Sequence, residues 1–141
     1  FPEKRFLLYG ESQLDSGNLG DYDAAMMPNF VLPQLKDETV DLFFNNSSFS
    51  EMDGETVKEY LQQIARIGQG YLLHINHNAR FSWYEDGRET FNLPSTEVIP
   101  DPARFQKVYQ RPWRLNTLQE ELHYKGAGFL ASLYQRYQPE P

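Results

Sequence analysis

VDLFFNNSSFSEM, residues Val40–Met52, changes character halfway along. Val40, Leu42, Phe43 and Phe44 form a nearly continuous apolar run, the pattern of a strand buried on both faces. From Asn45 the chain turns polar: Asn45, Asn46, Ser47, Ser48, Ser50 and Glu51 follow almost without interruption. A helix is expected from about Asp53. A buried parallel strand that ends in small polar side chains just before a helix is how an open α/β sheet builds a site at the carboxyl ends of its strands. Amides, hydroxyls and one carboxylate suit the hydrogen bonding of hydroxyls, amines or an amino-acid-like group. They are too neutral for phosphate.

Downstream, Val57, Tyr60, Leu61, Ile64 and Ile67 recur at i, i+3, i+4 and i+7, one face of a helix over Asp53–Ile67. Asp53 suits its N-cap and Glu55 its first turn. Gly68 and Gly70 stop it. Tyr71–Ile75, YLLHI, is the next strand, so strand, helix and strand form a βαβ unit with a right-handed crossover. This second strand also ends in polar residues, Asn76, His77 and Asn78. Parallel neighbours share their carboxyl ends, so this cluster belongs at the same sheet edge as Asn45–Glu51.

Upstream, Arg5–Tyr9 reads as a short strand ended by Gly10, and Glu11–Tyr22 as a polar loop. Ala24–Met27 is a second short strand, interrupted by a turn at Pro28-Asn29. Beyond the βαβ unit, Asp86-Gly87 between FSWY and ETFNL predicts a β-hairpin. Pro102 marks the start of a short helix within Asp101–Gln110. Trp113–Leu118 alternates like a late strand, and Glu120–Tyr137 has helical spacing weakened by Gly126 and Gly128. The expected architecture is a three-layer α/β domain, Rossmann-like, with a mostly parallel sheet incomplete on its N-terminal side.

Composition narrows the partners. Thirteen Lys and Arg against twenty Asp and Glu give a net charge of −7, which argues against nucleic acid and an anionic membrane surface. No apolar stretch approaches the roughly 20 residues of a membrane span. There is no cysteine, hence no disulfide, thiolate nucleophile or Cys-ligated zinc. These features suit a cytoplasmic protein. The chain opens on Phe1-Pro2-Glu3-Lys4-Arg5 and runs straight into a strand, which reads as an internal start within a longer protein. The whole chain, 1–141, then forms one portion of a single domain.

Metal spacing is absent: His74 and His77 lie three apart on a strand and face opposite sides. No G-x-S-x-G frames Ser48 or Ser50, and Ser16–Gly20, SGNLG, lacks the spacing of a phosphate loop. A lone strand histidine such as His74 is more often a core residue than a catalyst. Glu51, at a strand-to-helix junction, is either a cap for backbone N–H groups or a ligand contact and general base.

The segments VDLFFNNSSFSEM and GYLLHINHN, joined by this helix, resemble the second half of the putative sugar O-methyltransferases, S-adenosylmethionine-dependent enzymes of the Rossmann-like class. Asn45, Ser48, Phe49, Glu51 and Met52 match the family pattern N-x-x-S-[MF]-x-E-M, and Asn76 matches the Asn that ends the next strand. Phe1-Pro2, Pro28-Asn29, Trp113 and Leu133–Arg136 resemble weaker features. The resemblance implies S-adenosylmethionine as cofactor and a sugar or glycan as acceptor, with Glu51, His74 or His77 as the base. It places Asn45, Ser48, Asn76 and Trp83 against the acceptor, with Phe81–Tyr84 as an aromatic platform. The family's glycine-rich loop and the acidic residue after its second strand have no counterpart here, so the chain corresponds to the C-terminal part of a catalytic domain. The missing strands would leave an open sheet edge, which invites self-association. The reading from another class is a non-catalytic module that binds a glycan or a protein.

Overall fold

In the computed structural model, residues 2–10, 19–113 and 128–137 are described. The chain divides into two compact units, Phe1–Asp37 and Glu38–Pro141. In the first, β1 (Phe6–Leu8) pairs in parallel with β2 (Ala24–Met26), Phe6 opposite Ala24. Asp23 fixes the start of this pair: its carboxylate accepts from the Arg5 N–H at 2.9 Å and from Lys4 Nζ at 3.0 Å. Pro28 then turns the chain into a 3-10 segment, Asn29–Gln34.

The second unit holds the βαβ element. β3 (Val40–Asn46) and β4 (Gly68–His77) run parallel, with α1 (Gly54–Ile67) as their crossover. Asp53 caps α1, accepting from the N–H groups of Glu55 and Thr56 at 3.0 Å each. At the other end Gly68 passes directly from helix into strand. A Cβ on it would meet the Ile64 carbonyl at 2.7 Å. Two arginines satisfy terminal carbonyls there: Arg104 donates to the Ala65 oxygen at 3.0 Å, and Arg136 to Ala65 at 3.2 Å and to Gly68.

Two further strands complete the sheet. β5 (Ser82–Glu85) and β6 (Arg88–Phe91) form a separate hairpin, while β7 (Phe105–Trp113) and β8 (Phe129–Arg136) join β3 and β4 in the order β3-β4-β8-β7. β8 is antiparallel to both β4 and β7. The expected mostly parallel, three-layer Rossmann-like sheet is therefore overturned. The sheet is mixed, with one parallel and two antiparallel pairings, and α1 is the one α-helix among the described residues. One core joins helix to sheet: Val57, Leu61, Ile64 and Ala65 of α1 pack with Phe49, Leu72, Val98, Phe105 and Tyr134.

Three local expectations change with it. β8 replaces the helix expected toward Tyr137. As a central strand it is apolar on both faces, and the run FLASLY satisfies a helical and a strand period alike. The helix signal at Asp101-Pro102 is used for one turn only. Asp101 caps Ala103 through its side chain, its carbonyl accepts from Arg104 and Phe105, and the chain then enters β7. Pro112 is tolerated because β7 is an edge strand. Finally, β3 is also an edge strand rather than one buried on both faces: Leu42 is 54% exposed and Phe44 60%.

The hairpin follows its turn chemistry. Asp86 and Gly87 adopt φ of 49° and 76°, the paired left-handed conformations of a type I′ turn. Residues 11–18, most of the expected polar loop and of SGNLG, lie outside the described residues. So do 114–118 of the expected late strand, 120–127 of the expected helix, and His123. No helix among the described residues is long and apolar enough to cross a membrane.

Candidate functional site

The carboxyl ends of β3 and β4 lie side by side, with Asn45 opposite His74 in register. There the polar residues lock onto one another. The Asn76 amide donates to Asn45 Oδ1 at 3.0 Å. Its own Oδ1 accepts from the Ser50 N–H at 3.2 Å and the Ser50 hydroxyl at 3.3 Å. Asn45 in turn bonds the Ser48 hydroxyl and accepts from the Phe49 N–H at 3.3 Å. Asn76 and Ser50 are buried. The network carries the chain through Ser47, whose φ of 60° is left-handed, into a 3-10 turn at Phe49–Glu51. Asn45, Ser48 and Asn76 are thus brought together, and their hydrogen-bonding groups are occupied in shaping the loop.

Glu51 is what that loop presents. Its side chain is 60% exposed, yet Oε1 lies 3.2 Å from Nε2 of His77, whose side chain is fully buried. The Ala79 N–H donates to His77 Nδ1 at 3.3 Å, so Nδ1 is the acceptor and Nε2 carries the proton it gives to Glu51. Phe81 and Phe129 meet the imidazole edge-on, at 5.3 Å and 6.0 Å between centroids. A buried donor in an apolar slot therefore holds an accessible carboxylate in place. The helix cap, the alternative role for Glu51, belongs to Asp53.

His74 goes elsewhere. It is wholly buried on the α1 face of the sheet, stacked 5.9 Å from Tyr134 at 15° and tilted against Phe49. Its Nδ1 lies 3.4 Å from the Asn76 amide, and its Nε2 has no hydrogen-bond partner. Burial drives its pKa down to about 4 from 6.5. The Val98 carbonyl opposes this without making a hydrogen bond to Nε2, and the Lys107 charge adds to it slightly. His74 is thus a core residue packed between Tyr134 and Phe49, whereas the Glu51 carboxylate is exposed.

Trp83 sits on β5, half-buried, its indole N–H donating to Glu85 at 3.4 Å. The hairpin that carries it is tied to the site by Asn92, a residue that the sequence analysis passed over. Asn92 is fully buried, donates to the Ala79 carbonyl at 2.9 Å and accepts from the Phe81 N–H at 2.6 Å. It also bridges to Asp53, next to the start of α1. Ser50 was likewise passed over as a network member. An Asn directly after an alternating strand is a turn-forming signal that could have marked Asn92.

Neither glycine that opens β4 lies at the polar strand ends. Gly68 and Gly70 lie at the start of β4, the sheet edge opposite Asn45 and Asn76, and the amides at the carboxyl ends are already paired. Nor do the described residues contain a cluster of three His, Asp or Glu able to hold a metal ion.

No protein-family model matches the chain, and no curated protein matches it. Among solved structures it is similar to the PH0226 protein of Pyrococcus horikoshii OT3, with a TM-score of 0.55 at 9% sequence identity. The match covers 84% of this chain and 62% of that one, so the chain spans less than two thirds of its neighbour's length. The likeness is one of fold.

Proposed function

We propose that this chain supplies the acceptor side of a sugar O-methyltransferase, with Glu51 as the base that takes the proton of the sugar hydroxyl. The observation that carries this reading is the exposed Glu51 carboxylate held by the buried His77 at the carboxyl ends of two parallel strands. The resemblance of Asn45–Met52 to the sugar O-methyltransferases supports it. Glu51 accepts the hydroxyl proton on one oxygen while His77 fixes the other, a division of labour common to positioned carboxylate bases. The Asn45–Asn76 network keeps the loop rigid, which maintains the approach geometry. The methyl donor, S-adenosylmethionine in this reading, is gripped by parts of the natural polypeptide other than the described residues.

The test is calorimetric titration of S-adenosylhomocysteine into this chain and into the full natural gene product. Binding to the full product alone is expected. In that product Glu51→Gln should lower kcat by about 10²–10⁴ with the fold intact. Absence of binding to either well-folded protein overturns the proposal.

One observation favours a second reading, a non-catalytic glycan- or protein-binding module. Tyr84 is 78% exposed and Phe91 44%, and both lie on the same face of the hairpin, diagonal to each other. Glycan-array binding that is lost in Tyr84→Ala and kept in Glu51→Gln would favour the module over the enzyme.

A further inference from the structure

β3 is an edge strand with features that proteins normally avoid. Among the described residues it pairs with β4 alone, and it has neither Lys nor Pro along its seven residues. Its backbone polarity can be read from its ends. The Thr39 N–H donates to the Ile67 carbonyl and the Ser47 N–H to the Ile75 carbonyl. Odd-numbered residues therefore turn their backbone groups toward β4. By strand alternation, Val40, Leu42, Phe44 and Asn46 turn theirs outward. The same even-numbered residues include the exposed side chains: Leu42 and Phe44 stand on the face opposite Phe43, which packs against the α1 core. Tyr71, opposite Leu42 on β4, extends this apolar strip.

We propose that this edge pairs with the same edge of a second copy of the chain, antiparallel, about a two-fold axis at Phe43. The strand is self-complementary in that register. Leu42 meets Phe44 of the partner and Phe44 meets Leu42. Val40 meets Asn46, and Asp41 meets Asn45. The two even-numbered pairings are those whose backbone groups point at each other, so they form hydrogen-bonded pairs of an antiparallel ladder. On one face the four side chains of Leu42 and Phe44 become a continuous apolar cross-strand cluster. On the other, the strand's single charge, Asp41, faces an amide rather than another carboxylate. No like charges meet, and two four-stranded sheets become one. A second copy fits this edge because the register sets Leu42 against Phe44 on one face and keeps Asp41 away from another carboxylate on the other. This proposal stands apart from the function of Glu51.

Sedimentation of the chain over a wide concentration range should show a monomer–dimer equilibrium. Phe44→Lys, at an exposed position, should weaken it by about tenfold or more, because the two-fold axis makes each substitution count twice. Circular dichroism checks that the variant folds. Register is tested by disulfide formation, for which the cysteine-free sequence gives a clean background. Hydrogen-bonded partners sit about 5.5 Å apart at Cα, within disulfide range. Mixing Leu42→Cys with Phe44→Cys should therefore give a cross-linked pair faster than either variant alone. A chain monomeric at all concentrations, a dimer indifferent to Phe44→Lys, or equal cross-linking in the mixture and the single variants would each overturn the proposal.

Discussion

The amide of Asn76 donates to Oδ1 of Asn45 at 3.0 Å, joining the ends of two neighbouring parallel strands. Asn76 lies two residues past His74, the residue that faces Asn45, so this bond is diagonal, and it leaves the Asn76 oxygen free for Ser50. Every polar atom of the Asn76 side chain is thereby engaged with the loop that presents Glu51. Asn76→Ala would leave the Ser50 N–H without its acceptor and Asn45 Oδ1 without one donor. At about 1–3 kcal/mol for each buried group left unsatisfied, the loss should be about 3 kcal/mol in urea denaturation. Asn76→Asp keeps the acceptor for Ser50 but turns a second oxygen toward Asn45, and it should lose a similar amount at neutral pH.

His74 makes stability fall with acid. Its folded pKa, about 4, lies below its unfolded value of 6.5, so the unfolded chain binds a proton first as pH drops. The stabilising effect of keeping the ring neutral is whole above pH 6.5 and shrinks as pH falls toward 4, below which no more is lost. At 1.36 kcal/mol per unit this is about 3 kcal/mol over that window. His74→Phe should flatten the stability profile between pH 6.5 and 4, read by denaturation at several pH values. A profile as steep as that of the parent chain would refute this assignment.

The sequence made local features legible and long-range ones obscure. Asp53, the apolar face of α1 and Gly68 define the helix from one short stretch of chain, and the structure has it where the pattern puts it. Asp86-Gly87 likewise specifies its turn by backbone chemistry alone. The polar ends of two strands around a crossover helix also place Asn45 and Asn76 at one edge. What periodicity could not carry was the neighbour beyond β4. The run FLASLY is apolar because β8 is covered on both faces, and such a run has no period that separates strand from helix. The run VDLFF was misleading in the opposite sense: its apolar side chains include two that face solvent. Whether Glu51 or Asp53 caps the helix, and which histidine is buried where, depends on contacts between residues 26 apart, such as Glu51 with His77, that no window along the chain contains.

Gly70 is required by close backbone approach. A Cβ there would sit 2.2 Å from the Asp41 carbonyl oxygen, beside the irregular pairing between Val40 and Leu42. Backbone cannot yield as a side-chain tip can, so Gly70→Ala should cost about 1–3 kcal/mol, the range of an overpacked core. Gly87→Ala is the contrasting case. It has open space around it and a φ of +76°, so only the left-handed conformation is penalised, by about 1 kcal/mol. Thermal unfolding of the two variants should rank Gly70→Ala as the less stable. Hydrogen exchange should also show loosening at Asp41–Leu42 in Gly70→Ala only.

The tautomer of His77 decides how Glu51 is held. Because the Ala79 N–H occupies Nδ1, the proton belongs on Nε2, and Glu51 receives it as an acceptor. Nitrogen NMR at neutral pH should show His77 protonated at Nε2 and bare at Nδ1, a readout independent of any substrate. Finding Nδ1 protonated would contradict the geometry even if the methyltransferase proposal were correct. His77→Gln retains an N–H donor on a side chain of similar reach, whereas His77→Leu removes it. In the full natural gene product, if it transfers methyl groups, His77→Leu should lower kcat by about 10–100-fold, the scale of a lost orienting hydrogen bond, and His77→Gln should recover part of that loss. Equal activity in Leu and Gln variants would mean that His77 supports the fold without aiming the carboxylate.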